Sequence, residues 1–180
     1  MATIEIMTTG RIELGPNGRT VAANVKRLRA AQGMSLRALS DALSKVGRSL
    51  SQDAINKIEN GSEKDTKKQI RRVDVDDLIA LSVVFRVSPS ALLLPLDDSP
   101  TGTIEITGVG EVSGNAAWDW ADGRRPLKVE RGDYDALLEY DLYSRPPRRR
   151  SSWKAVQGLL PEGASGEVVE ELRHQESGDG

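Results

Sequence analysis

The sequence predicts a mainly α-helical protein, a bundle of five short helices over residues 20–95 with short β-like flanks and a partly disordered C-terminal tail. Two observations carry this. Apolar residues between Val21 and Leu92 recur at helical spacing in five runs, and each run follows a Ser, Thr or Asp able to cap it and is closed by nearby Gly or Pro. The 180 residues are also enough for one domain with a real core plus appendages. The expected organisation is an N-terminal arm (1–19), the bundle (20–95), an extension packed on the bundle or used for dimerisation (96–144), and a flexible tail (145–180).

Taken in order, Thr3 to Met7 and Arg11 to Leu14 alternate as short strands do, and Gly15-Pro-Asn-Gly18 reads as a turn that breaks the chain. Thr20 caps a first helix to about Gln32, with Val21, Val25 and Leu28 inward and Gly33 ending it. Ser35 caps a second, with Leu36, Leu39, Leu43 and Val46 on one face and Gly47 as its stop. Ser51 caps the third. There Ile55 and Ile58 share a face, Gln52, Asp53, Asn56 and Lys57 occupy the other, and Asn60-Gly61 offers a left-handed stop.

Residues 62–72 hold five cations and no apolar period, so they read as an exposed loop. Asp74 caps a fourth helix over residues 75–86, with Leu78, Ile79, Leu81 and Val84/Phe85 inward. Ser88-Pro89 starts a fifth ending at Leu94-Pro95, proline being favoured at the first helical position. Beyond a linker at 97–102, residues 104–112 are β-like, 116–121 and 133–140 suggest short helices, and the end from Arg145 reads as disordered. Thr103-Ile-Glu-Ile-Thr107 repeats the lettering of the N-terminal arm, which permits strand pairing within a chain or across a dimer.

Composition narrows the chemistry. Without cysteine there are no disulfides, thiol nucleophiles or Cys-ligated zinc sites, and His174 is the only histidine, so neither a metal cluster nor a Ser-His-Asp triad is expected. No cofactor is expected. No apolar run reaches the length of a membrane span, and the first residues lack the layout of a signal peptide, so a cytoplasmic protein without membrane association is expected. Charge is uneven. Residues 1–95 hold 15 Lys/Arg against 10 Asp/Glu, a net of +5, and residues 96–180 hold 10 against 17, a net of −7. A basic half facing nucleic acid beside an acidic, solvating half has this pattern.

Residues 20–95 resemble the phage-repressor/Cro-like (XRE) helix-turn-helix family. The resemblance lies in Asn24-Val-Lys-Arg-Leu-Arg29, Gly33-Met-Ser35, the Ile-x-x-Ile-Glu-x-Gly core of residues 51–61, and Val73-Asp-Val-Asp-Asp-Leu78 followed by Val87-Ser-Pro-x-x-Leu92. It implies a lambda-repressor-like five-helix bundle whose third helix enters the major groove of double-stranded DNA. It also places Gln52, Asp53, Asn56 and Lys57 at base-reading positions, and matches Arg29 and Glu59 to an ion pair between the first and third helices. These side chains suit the role, since Gln and Asn pair with adenine, Lys donates to guanine and Asp accepts from cytosine. Candidate phosphate contacts are Arg48, Ser51, Lys64, Lys67, Lys68, Arg71 and Arg72. The chain departs from compact members in a longer second helix and turn, in Leu36 where a polar residue often stands, and in the extended Lys-rich loop.

The expected function is a sequence-specific transcriptional regulator, a repressor acting by operator occupancy. It is expected to bind as a homodimer through the N-terminal arm or the Trp118/Trp120 region. Two other classes compete. An antitoxin-like protein would bind a protein partner through its C-terminal half and DNA through the helix-turn-helix. A repressor with a self-cleaving protease would need Ser113 with Lys128 or Lys154, in a region short of β-structure, and the chain is read as a non-enzyme.

Overall fold

A computed structural model describes residues 12–96, 102–130, 132–146 and 149–150. Among these are seven α-helices and one two-stranded sheet, in two compact units that divide between Trp118 and Asp119.

The first unit is built on α1 (Pro16–Ala31), α2 (Leu36–Lys45), α3 (Gln52–Asn60), α4 (Val75–Phe85) and α5 (Pro89–Leu93). The expected turn at Gly15-Pro-Asn-Gly18 instead opens α1, which starts four residues earlier than Thr20. Pro16 at the first position lacks only an N–H that no helix would have used, and Asn17 is recruited from outside the helix. Its amide donates to Leu93 O at 3.2 Å and accepts from Thr107 N–H at 2.8 Å. Residues 12–14 form no strand. The arm at Thr3–Met7 and the tail beyond 150 lie outside the described residues.

The expected caps at α2 and α3 form as read: Ser35 Oγ accepts from Ala38 N–H at 3.0 Å and Ser51 Oγ from Ala54 N–H at 3.1 Å. Gly33 and Gly47 take positive φ, 64° and 83°, at the ends of α1 and α2. Gly61 does not. Its φ is −70°, and its bare Cα instead lets the Leu14 side chain lie close: a Cβ would stand 2.5 Å from Leu14 Cδ1, which would have to turn away, and 3.1 Å from Ile58 O. At the end of α4 the left-handed position falls on Arg86, φ 58°.

The core gathers Val21, Val25, Leu28, Leu39, Leu43, Leu50, Ile55, Ile58, Leu81, Phe85 and Leu92. Val46 and Ile79, both expected inward, are substantially exposed. Val46 follows the last residue of α2, where helical spacing no longer governs direction. Ile79 sits one position away from the face that Leu78 and Leu81 turn inward. Buried Asn24 spans α1 and α5, donating to Leu92 O at 3.1 Å and Leu94 O at 2.8 Å. Gln32 Nε2 reaches Phe85 O, the C-terminal end of α4, at 2.9 Å.

The compact unit continues past Pro95. Strands β1 (Thr103–Ile106) and β2 (Gly110–Ser113) form an antiparallel hairpin with Ile104 opposite Val112, so the Ile-rich stretch pairs with its own continuation. Ile104 and Ile106 are buried, and Arg19 meets Glu105 at 3.6 Å. In α6 (Gly114–Ala121), Ala117 is buried and Trp118 Nε1 donates to Pro95 O at 3.3 Å, which spends Trp118 on internal packing.

The second unit holds α7 (Tyr134–Ser144), capped by Asp133, with none of its residues buried. Tyr140 OH donates to Trp120 O at 2.8 Å, and burial pushes its phenol pKa up. Arg145, expected in the free tail, donates to the carbonyls of Asp122 and Arg149, both at 3.4 Å. No described helix is long and apolar enough to cross a membrane.

Candidate nucleic-acid interface

A nine-residue helix such as α3 is too short to hold its shape alone in water, so its order must come from what it packs on. Its inner face buries Ile55 and Ile58 completely. Beside them Glu59, with its side chain 7% exposed, receives both arms of the Arg29 guanidinium: Nε to Oε1 at 2.6 Å and Nη2 to Oε2 at 2.9 Å. The third arm donates to Met34 O at 2.8 Å, in the turn between α1 and α2. The hydrogen bonds that Arg29 donates to Glu59 raise the guanidinium pKa against the cost of burial. The pair between the first and third helices is therefore present, fork to fork and largely dry.

A second fixture closes on the flanks of α3. Asp77, with no side-chain exposure, accepts Arg48 Nε on Oδ1 at 2.7 Å and Arg71 Nη1 on Oδ2 at 2.5 Å. Arg48 belongs to the turn entering α3 and Arg71 to the loop leaving it. Arg48 Nη2 also meets Asp74 Oδ2 at 2.5 Å, and Asp74 and Asp77 complete a capping box at the start of α4. Burial alone would push the Asp77 carboxyl up, but hydrogen bonds from Arg48 and Arg71, the charge of Arg71 and the Asp74 N–H hold it below the usual carboxylate range. Arg48, in turn, is raised by the Asp77 hydrogen bond.

Arg48 and Arg71, expected on phosphates, are thus committed to Asp77. Sequence reasoning saw Asp74 as a cap and missed Asp77 as the residue between two arginines. The Asp74-x-x-Asp77 spacing signalled the box, but nothing local signalled the arginines, which stand 29 and 6 residues away.

The outer face of α3 is open. Gln52, Asp53 and Asn56 are exposed and Lys57 is half-buried, with Lys57 Nζ 2.7 Å from Asp53 Oδ2. This i,i+4 pair lies at the surface and is worth only about 0.3 to 0.5 kcal/mol, so Lys57 can leave Asp53 at little cost. Ser51 Oγ accepts its capping bond and still has its proton to donate.

The loop beyond Gly61 folds back along α3, with Arg71 N–H donating to Lys57 O at 3.1 Å and Asn60 Nδ2 to Gln69 O at 3.1 Å. Lys64, Lys67 and Lys68 are exposed on it and make no ion pair among the described residues. Arg72, also exposed, donates to Glu13 O at 3.2 Å. The structure therefore places a fixed polar helix face beside a loop of free cations. Compared with models of known families, with curated proteins and with solved structures, the chain finds no match.

Proposed function

We propose that the protein is a sequence-specific DNA-binding transcriptional regulator, acting as a homodimeric repressor by operator occupancy. The observation that carries this is the way α3 is held: clamped by Arg29–Glu59 behind and by the Asp77 network at both flanks, while Gln52, Asp53 and Asn56 face solvent. A largely buried ion pair on α3 itself, together with a buried carboxylate that ties the segments entering and leaving it to α4, fixes this nine-residue helix far more tightly than a solvated surface helix requires. Reading base edges demands such rigidity, because bidentate hydrogen bonds fail with small misplacement. The exposed Ser51 hydroxyl and the first-turn N–H groups of α3 suit a phosphate, and Lys64, Lys67 and Lys68 suit the backbone beside it.

Selection of bound sequences from random DNA tests this directly. Wild type should enrich a short motif, and Gln52→Ala and Lys57→Ala should each weaken the best site by about 1 to 3 kcal/mol and relax one or two base positions. Equal weakening on selected and random DNA would remove α3 from base reading. Neutralising Lys64, Lys67 and Lys68 together should lower the slope of log affinity against log salt by about 2 to 3 with base preference intact. An unchanged slope would mean that the loop does not touch DNA.

A further inference from the structure

Two hydrogen bonds tie the last turn of α3 to one stretch of the loop that follows it. The carbonyls of a last helical turn have no partner within the helix, and Lys57 O takes the Arg71 N–H at 3.1 Å. Asn60, in the same turn, donates its Nδ2 to Gln69 O at 3.1 Å. The tethers lie on either side of Ile70, which is half-buried, and the Arg71 guanidinium is held by the buried Asp77. Gln69 is different. Its side chain is exposed, and its amide makes no hydrogen bond among the described residues, so a fixed backbone carries a free polar group.

The tether also places Gln69 beside the reading face. Gln52, Asn56 and Asn60 are spaced i, i+4, i+8, so they form one row along α3. The first two are exposed, whereas Asn60 spends its amide on Gln69 O and so brings Gln69 to the C-terminal end of that row. Resting on the DNA-binding function proposed above, we infer that Gln69 is a further base-reading residue, extending readout past the end of α3, and that Asn60 is the residue that positions it. The chemistry fits. A primary amide carries donor and acceptor together and pairs with the adenine edge in a bidentate way, which the neighbouring Lys67 and Lys68, donors only, cannot do. Such a pair needs a fixed backbone behind it, and the hydrogen bonds from Asn60 and Arg71 order this stretch before any DNA arrives.

Selection of bound sequences from random DNA, run on the full-length variants beside wild type, tests this. The wild-type motif should contain a position that Gln69→Ala relaxes and that Gln52→Ala and Lys57→Ala leave intact. On the best site Gln69→Ala should bind about tenfold more weakly, the loss of one bidentate pair. Its melting temperature should equal that of wild type, since the side chain is exposed. Its slope of log affinity against log salt should also be unchanged, because no charge is removed, which separates Gln69 from Lys64, Lys67 and Lys68. Asn60→Ala should relax the same single position, and adding it to Gln69→Ala should cost no further discrimination there, because the two act as one unit. Blurring at every position in Asn60→Ala would make Asn60 a structural residue of α3 and overturn its positioning role. An identical motif for Gln69→Ala, or equal weakening on all sequences, would overturn the inference while leaving α3 as the reader. A wild type that enriches no motif would instead remove the DNA-reading function itself, and the role of Gln69 with it.

Discussion

Glu59→Ala is expected to cost about 3 to 5 kcal/mol, because it leaves the Arg29 guanidinium, only 19% exposed, without its two-pronged partner. For a bundle of this size that is a fall in Tm of more than about 10 °C. Arg29→Ala should be comparably severe. It strands a carboxylate with 7% exposure and also removes the donor to Met34 O. The double variant should cost much less than the sum of the two, since neither charge is then left alone. Thermal melts of the three variants check this, and shifts of a degree or so would show that the pair contributes no more than an exposed one. On the proposed function, Glu59→Ala should also blur base preference below its melting temperature, because α3 loses its rear anchor while Gln52 and Lys57 remain.

Asp77→Ala is the second large loss, about 3 kcal/mol or more, from one residue that ends two arginine contacts and half of the α4 capping box. Arg48→Ala or Arg71→Ala alone should cost less, since each leaves Asp77 with the other arginine and both guanidinium groups reach water. The carboxylate also makes stability depend on pH with a definite sign. Its folded pKa lies below the unfolded value of about 3.9, so its contribution is fully present above that value and is lost as pH falls through it toward the folded pKa. The Tm gap between wild type and Asp77→Asn should therefore be constant from neutral pH down to about 5 and shrink below about 4. A gap that does not change with acid would mean that the Asp77 charge does not hold the network.

Much of the bundle was legible in the chain because its signals are local. Ser35, Ser51 and Asp74 cap helices a few residues away, Gly33 and Gly47 supply left-handed stops next to the helices they end, and Ile55 and Ile58 declare a face by spacing alone. The outward set Gln52, Asp53 and Asn56 follows from the same spacing. Arg29 and Glu59 were paired through the family resemblance, not through anything in their immediate neighbourhood.

What only the tertiary structure decided are the matters in which distant residues compete for one group. Gly15-Pro-Asn-Gly18 has the composition of a turn, yet it becomes helix because Asn17 finds Leu93 and Thr107, some 76 and 90 residues on. Gly61 looked like a left-handed stop and is instead a point of close approach to Leu14. Arg48 and Arg71 have the sequence character of free cations, but a buried carboxylate within reach outbids water, since ion pairs strengthen as the surroundings dry out. Ile79 is apolar and its spacing predicts an inward place; the width of the core-facing stripe decides otherwise and leaves it on the surface with Val75 and Val83. Helix ends and faces depend on residues within about four positions, which a sequence displays directly. The partner of a buried charge and the depth of a given face depend on where the other helices come to lie, and that is fixed only when the whole core closes.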